Sequence, residues 1–293
     1  MRIAIIGLGE VGRCYAAPLH AAGHHLVLYE KHPSAAAAKL AAQCGQIIRS
    51  DPDADLGSVE WALSCVTGAT ALVVAEAFAP ELKSGTSIAD FTTATPEVKR
   101  KAAEAARRHG VRYVDAAIMG AIALSKVRTP LLVAGEGAGD LKELLDPLGG
   151  RVKLIASGAA GDAISLKILR SMFTKGIEAL AVELLTSAEK QHLRMQLYEQ
   201  LTDIDEAPLR SFLDMLVRTH VVHAKRRLHE VQDAEKEMAS HGTPSVVLGG
   251  VATRFERTAR GLDRRPLQKE EPSVEDALAW LLTSDTPEIN LKT

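Results

Sequence analysis

The sequence predicts an α/β fold, a doubly wound parallel sheet followed by an all-helical C-terminal domain, on three observations. Short β-rich apolar runs alternate with alanine-rich helical stretches from residue 1 to about 157, the pattern of repeated βα units. A glycine-rich turn, Gly7-Leu8-Gly9-Glu10-Val11-Gly12, directly follows the first of these runs. Beyond Ser157 the strand pattern stops, and apolar residues recur at helical spacing over 161–193 with no proline to interrupt them.

In chain order, the apolar runs place strands at 2–6, 25–29, 61–66, 87–90, 112–115, 131–134 and 152–155. Between them 34–43 and 97–109 read as helices, the first opened by Pro33 and Ser34. The stretch 161–193 is expected to be one long, mostly buried helix. Pro208, Gly242, Pro244, Pro266 and Pro272 then punctuate helices at 209–240, 245–260 and 274–283, with a charged, solvated connection over 262–271. Ser273 followed by Asp276 has the spacing of a helix cap. The expected domains are 1–157 and 158–293, in keeping with a chain of 293 residues.

Composition narrows the function classes. Lys and Arg number 35 against 37 Asp and Glu, a formal net charge of −2, which gives no whole-chain attraction to nucleic acid or to a membrane surface. Aromatic residues make up only 4%, too few to suggest base-stacking platforms. No apolar run approaches the roughly 20 residues that span a bilayer, and the run before Gly7 is too short for a secretory signal. Cys14, Cys44 and Cys65 form no CxxC pair. They read as buried thiols in a reducing compartment, and the expected location is the cytoplasm.

The GxGxxG turn lies between a predicted strand and a predicted helix, the context that gives the pattern its meaning. Gly7 permits the tight turn, Gly9 lets the backbone approach a pyrophosphate, and Gly12 lets helix and strand pack closely. Leu8, Glu10 and Val11 complete the turn, and the helix N-terminus supplies free N–H groups for the anion. Glu30 ends the second strand at the spacing of the acidic residue that accepts from the adenosine ribose hydroxyls of NAD. Lys31 and His32 follow and are suited to the extra phosphate of NADP. The expected cofactor is therefore NAD in preference, or NADP, in a Rossmann domain.

Four motifs in order carry a family resemblance: the glycine turn; Asp90-Phe91-Thr92-Thr93 with Pro96; Asp115 through Met119 and Gly120; and Gly158-Ala159-Ala160-Gly161 leading to Lys167. Through most of its first two hundred residues the chain resembles the β-hydroxyacid dehydrogenase family, related to 6-phosphogluconate and 3-hydroxyisobutyrate dehydrogenases, and it is similar to a less characterised branch of it. The resemblance implies cofactor contacts from Val66, Thr67, Thr92 and Thr93, substrate contacts from Met119 and Gly120, and a catalytic lysine at Lys167. It also departs from the family. Met119 stands where a serine is expected, Ala163 replaces a glycine, Ser171 replaces an asparagine, and a second lysine has only Arg227 and His229 as near counterparts.

Oxidising an alcohol needs a hydride acceptor and a base for the hydroxyl proton. A lysine serves as that base near neutral pH when burial or positive neighbours lower its pKa; the bound nicotinamide cation, Arg170 and Lys175 are the expected neighbours. Lys167, Ser171 and Lys175 lie four residues apart, with Glu178 continuing the face. Ser171 and Lys175 are thus expected at the substrate, although a solvated helix face accounts for the same spacing, and Ser171 equally suits a bond to the preceding turn. The basic group His220, His223, Lys225, Arg226, Arg227 and His229 is scattered around its helix and reads as an exposed face rather than an anion site. No metal site is expected.

The predicted activity is hydride transfer between the nicotinamide cofactor and a small hydroxy compound, a 3-hydroxy acid or related sugar acid. Two rivals share the fold: an imine reductase, in which an aspartate, a tyrosine or a neutral residue stands at the lysine position, and a dinucleotide-binding sensor without catalysis. The amount of apolar surface on the 161–193 helix also predicts a homodimer.

Overall fold

The computed structural model describes residues 1–284. Eight strands, β1 (Arg2–Ile6), β2 (His25–Tyr29), β3 (Ile48–Arg49), β4 (Trp61–Ser64), β5 (Ser87–Asp90), β6 (Arg112–Ile118), β7 (Pro130–Gly135) and β8 (Arg151–Leu154), form one sheet in the order β3-β2-β1-β4-β5-β6-β7-β8. Helices α1 (Glu10–Ala21), α2 (Ala35–Gln43), α3 (Ala71–Phe78), α4 (Pro96–Arg107), α5 (Ile122–Ser125) and α6 (Ala138–Leu145) connect them. The helices that follow are α7 (Asp162–Lys190), α8 (Arg194–Gln200), α9 (Thr202–Asp205), α10 (Leu209–Ser240), α11 (Val247–Arg264) and α12 (Val274–Ser284). The chain divides into two compact units, the first Met1–Met172 and the second beginning at Phe173, so the break falls inside α7 rather than at residue 157.

The first unit is a Rossmann domain. Alternation along the strands makes its two cores. Ile3, Ile5, Leu26 and Leu28 face one way, packing with Tyr15 and Leu19 of α1 and Leu40 of α2. Ala4, Ile6, Val27 and Tyr29 face the other, with Ala75 and Phe78 of α3 and Ala102 and Ala106 of α4. Strands buried on both faces read as continuous apolar runs, which is why β1 and β2 were legible. The strand order reverses between β1 and β4, which pair in parallel from Ile3 against Trp61 to Ile6 against Ser64. A crevice outside the carboxyl ends of two such strands is where ligands bind in doubly wound sheets.

The expected parallel sheet needs one correction. β7 runs antiparallel to β6, Ile118 opposite Leu131 and Val114 opposite Gly135, because a short connection holding α5 and a 3-10 turn at Lys126–Arg128, rather than a full crossover helix, joins them. β6 also runs three residues past the expected end at Asp115, and the strand expected at 61–66 stops at Ser64.

The caps follow the sequence closely. Ser34 Oγ accepts from the Ala37 amide at 3.2 Å, Thr95 Oγ1 from the Val98 amide ahead of α4, and Ser273 and Asp276 exchange reciprocal bonds of 3.1 Å at the start of α12. In the second unit Val221 of α10 packs with Ala277 and Trp280 of α12, and the Trp280 indole donates to the Arg265 carbonyl at 3.0 Å. The expected 262–271 connection is shorter, since α11 continues to Arg264.

The long helix differs from expectation in one respect that matters. α7 is continuous over its 29 residues, but it is not mostly buried: Leu166, Leu169, Met172, Ile177, Leu180 and Val182 are all more than two-fifths exposed. An apolar helix is driven to bury its surface, and a single copy of the chain leaves this surface open.

Candidate active site

The glycine turn has distinct roles at its three positions. Gly7 adopts φ +90°, and a Cβ there would stand 2.9 Å from the Cys65 carbonyl, so β1 and the end of β4 approach as closely as only glycine allows. At Gly12 a Cβ would lie 1.9 Å from the Gly7 carbonyl oxygen. Gly9 is different: a Cβ there would meet nothing within 4 Å. It is the N-cap of α1 and its side carries no capping hydrogen bond, which leaves the N–H groups of the first turn directed at open space. That cradle fits an anionic pyrophosphate.

Glu30 closes the turn. Its carboxylate accepts from the Leu8 amide at 2.9 Å and the His32 amide at 3.2 Å, fixing an acceptor at the mouth of the cradle. Arg13 donates to the Leu8 carbonyl at 2.8 Å and braces the same residue from the helix. Lys31 is exposed, 3.9 Å from Asp51.

Two further loops meet across the strand ends. Thr67 shares a hydroxyl contact with Thr70, and Val66 lies within 3.0 Å of a Cβ built at Gly7. Gly68, which the motifs did not single out, sets the approach: a Cβ there would come 2.9 Å from the Ala94 amide and 3.1 Å from the Thr93 carbonyl carbon. Of the two threonines, Thr92 is buried and its hydroxyl accepts from the Ala94 amide at 3.2 Å, whereas Thr93 is exposed. Thr93 is therefore the more accessible of the two.

Behind these loops lies a buried ionic network that sequence reasoning missed. Lys99 of α4 is fully buried. Its Nζ donates to Asp115 Oδ1 at 2.7 Å and to the Asp90 carbonyl at 2.9 Å, with Asp90 Oδ1 at 3.8 Å. Asp90 also accepts from the Thr92 amide at 2.7 Å and from the Tyr113 hydroxyl; burial, then the Asp90 charge, pushes that phenol well above its ordinary pKa. The other Asp115 oxygen accepts from the amides of Gly161 at 3.1 Å and Ile164 at 3.0 Å. Asp115 thus satisfies first-turn donors of α7.

The start of α7 is built for close approach. Gly161 has φ +98°, and a Cβ there would stand 2.9 Å from the Pro96 carbonyl. Ala163 packs with Ala117 and Ala134, against which Met119, Leu132 and Ile155 also lie, so Met119 belongs to the surroundings of the first turn of α7, with exposed Gly120 beside it. One turn further, Lys167 is half-buried. Burial lowers its pKa, the Lys99 charge lowers it further, and Asp115 opposes both. Besides the bound cofactor, the sequence points to Arg170 and Lys175 as the sources of this effect. Both are exposed, where water screens them, and the cation responsible comes instead from α4. Glu178 is exposed too, and Ser171 is half-buried. Cys44 and Cys65 are buried thiols as expected, while Cys14 is only partly buried.

In the second unit the basic group separates. Lys225 pairs with Asp263 and Arg226 with Glu230 on the exposed side, whereas His220 and Arg227 line a cavity of about 680 Å³ with Leu216, Phe255 and Leu281. Among the described residues no group of three or more His, Cys, Asp or Glu is arranged to hold a metal ion, and no helix is long and apolar enough to cross a membrane.

Residues 2–156 match the family described as the NAD binding domain of 6-phosphogluconate dehydrogenase. The chain belongs to that family. The first unit is a nicotinamide dinucleotide-binding domain. Residues 188–258 match a domain of unknown function. The chain is 29% identical over 252 residues to an uncharacterised 28.5 kDa protein of Methanothermus fervidus, covering 85% of this chain and 95% of that protein. It is 26% identical over 205 residues to the mitochondrial 3-hydroxyisobutyrate dehydrogenase of Mus musculus, covering 65% of this chain; the chain spans only 56% of that enzyme's length.

Among solved structures, a conserved protein of unknown function, described as structurally similar to 3-hydroxyacid dehydrogenases, is 26% identical with a TM-score of 0.64 over 89% of this chain and 97% of its own. The imine reductase of Aspergillus terreus has a TM-score of 0.72 at 17% identity, over 94% of this chain and 97% of its own. The second likeness is one of fold alone.

Proposed function

We propose that this protein is an NAD(P)-dependent oxidoreductase acting on the CH–OH group of a small hydroxy compound, a 3-hydroxy acid or related sugar acid, with Lys167 as general acid and base. The observation that carries the reading is a half-buried lysine whose pKa is held down by burial and by a buried cation, on a helix whose first turn is fixed to Asp115 of β6, the partner of Lys99. An amine so poised accepts a proton nearer neutral pH than a free lysine does.

When bound, the nicotinamide cofactor supplies the hydride acceptor or donor. Gly7, Leu8, Gly9, Glu10, Val11 and Gly12 hold its pyrophosphate, Glu30 takes the adenosine ribose hydroxyls, and Lys31 lies where an added phosphate would be met. Val66, Thr67, Thr92 and Thr93 border the nicotinamide half, Thr93 through its hydroxyl and Thr92 through the loop it shapes. Lys167 takes the hydroxyl proton in oxidation and returns it in reduction. Met119 and Gly120 form the apolar side of the substrate site, and Ser171 is placed one turn beyond the lysine to meet a polar group. Lys175, being exposed, belongs at the outer edge, where it attracts an acidic substrate.

The open apolar surface of α7 supports a homodimer in which a second copy covers it; a monomer in sedimentation at micromolar concentration would refute this. The free thiols accord with a cytoplasmic location.

The test is absorbance at the reduced-nicotinamide band for wild type and Lys167→Met, with NAD and NADP, against 3-hydroxy acids, sugar acids and cyclic imines. Turnover of a hydroxy acid that Lys167→Met loses while still binding cofactor supports the reading. Unchanged turnover by Lys167→Met removes the lysine from the chemistry. Reduction of imines alone moves the protein to amine chemistry, and cofactor binding with no turnover at all leaves a dinucleotide sensor.

A further inference from the structure

Lys99 lies outside every motif, yet its ammonium joins the two pieces of structure that the proposed reaction needs. Through Asp90 it holds the strand end from which the Thr92–Thr93 loop departs, since Asp90 Oδ1 accepts from the Thr92 amide. Through Asp115 it holds the carboxylate that receives the Gly161 and Ile164 amides of α7, one turn before Lys167. Both Lys99 and Asp115 are wholly buried. Apolar residues of similar volume commonly staple elements as well as a buried ion pair, with no cost of desolvation, so a charge at this point is informative about what lies near it.

We propose that Lys99 is a positioning residue of the oxidoreductase site, clamping the Thr92–Thr93 loop to the first turn of α7 and setting the electrostatic surroundings of the Lys167 amine. The inference rests on Lys167 being the proton-transfer group. The charges that act on it are Lys99 from α4 and Asp115 from β6; the other ionisable groups at this network and at the first turn of α7 are Asp90 of β5 and Tyr113 of β6, Asp162 of α7, and Arg100 of α4, with Nη1 3.0 Å from a Cβ built at Gly161. Of the two groups whose charge acts on Lys167, Lys99 outweighs Asp115, and its sense favours the neutral amine.

A purely structural clamp and a positioning residue differ in one readout that needs no substrate. With the lysines of the full chain carrying ¹³C-methyl groups from reductive methylation, the Lys167 resonance, assigned by its loss in Lys167→Arg, is titrated by NMR. In Lys99→Met the amine should titrate at higher pH, its neutral fraction at pH 8 falling by about threefold or more. Lys99→Arg, which keeps the charge, should titrate as wild type. Because Lys99→Met leaves Asp115 buried without its partner, the neutral pair Lys99→Met/Asp115→Asn stands behind it: the asparagine carbonyl still caps α7, and the amine should again titrate above wild type, by less. A Lys167 titration unchanged from wild type in a folded charge-removing variant, either Lys99→Met or the neutral pair, overturns the proposal and leaves a staple. The turnover of Lys167→Met tests the underlying reading separately, since the titration is read without any reaction.

Discussion

The two glycines Gly9 and Gly12 sit three residues apart in one turn, and replacing each by alanine should break different properties. In Gly12→Ala the new methyl starts 1.9 Å from the Gly7 carbonyl oxygen and must retreat about 1.5 Å to reach ordinary contact at 3.4 Å. The obstacle is the backbone of Gly7 in the turn just past β1, with no flexible side chain to yield. A cost near the top of the usual overpacking range, about 3 kcal/mol, follows. For a unit of this size that lowers the melting temperature by about 6–12 °C.

In Gly9→Ala the backbone at φ −67°, ψ −160° already suits alanine, and the methyl meets no atom within 4 Å. Stability should fall by about 0.5–1 kcal/mol, the difference between glycine and alanine at an N-cap. Dinucleotide affinity should fall by at least about tenfold, because the methyl enters the space through which the pyrophosphate reaches the N–H groups of α1. Thermal melting without ligand and calorimetric titration with NAD and NADP separate the two effects. Wild-type affinity in Gly9→Ala would refute the cradle, and wild-type melting in Gly12→Ala would refute the packing argument.

Three more outcomes follow from other parts of the molecule. Glu30→Gln keeps an acceptor for the Leu8 amide but removes the charge, so the ratio of NAD to NADP affinity should move toward NADP by about tenfold, measured as two dissociation constants. Glu183 accepts from the Ser245 hydroxyl and from the Val246 and Val247 amides before α11, and the Ser245 bond chiefly holds its carboxyl below the usual glutamate range. A depressed carboxylate contributes stability that is present above its unfolded pKa and is lost as pH falls through its folded one. Wild type should therefore lose stability toward acid more steeply than Glu183→Gln, as followed by urea midpoints from pH 7 down to pH 3. Trp280→Ala deletes the centre of the α10–α12 core and the bond to the Arg265 carbonyl, and should cost about 3–5 kcal/mol in denaturant unfolding; a loss under 1 kcal/mol would refute that packing.

What the sequence revealed depended on whether the determining forces were local. β1, β2 and the glycine turn were legible because burial on both faces and the need for glycine act on consecutive residues. The caps at Ser34 and Ser273 were legible for the same reason. The antiparallel direction of β7 was not, since Leu131, Val133 and Ala134 would present the same apolar run in either direction. β3 is two residues long, below what any period can register. The apolar pattern of α7 was legible as a helix, but its period did not give its burial, since Leu166, Leu169, Met172 and Val182 are exposed.

Lys99 shows most clearly where local reading ends. Within Lys99-Arg100-Lys101 it resembles its neighbours, and lysines are ordinarily exposed. Yet the buried face of α4 is Lys99, Ala102, Ala105 and Ala106, so helical phase alone places this lysine on the apolar side. A lysine in phase with alanines is a conflict between local chemistry and global position, and such conflicts persist where a partner resolves them. The partner, Asp115, was already conspicuous as the first residue of a motif, and the two are joined by a 2.7 Å hydrogen bond across sixteen residues of sequence. Phase errors of this kind, paired with an unexplained carboxylate on a neighbouring strand, are the signal that links the core of this domain to the lysine helix. They also explain why the cation acting on Lys167 comes from α4: within α7 itself the nearby basic residues face water, and only a neighbouring buried element can bring an unscreened charge to the site.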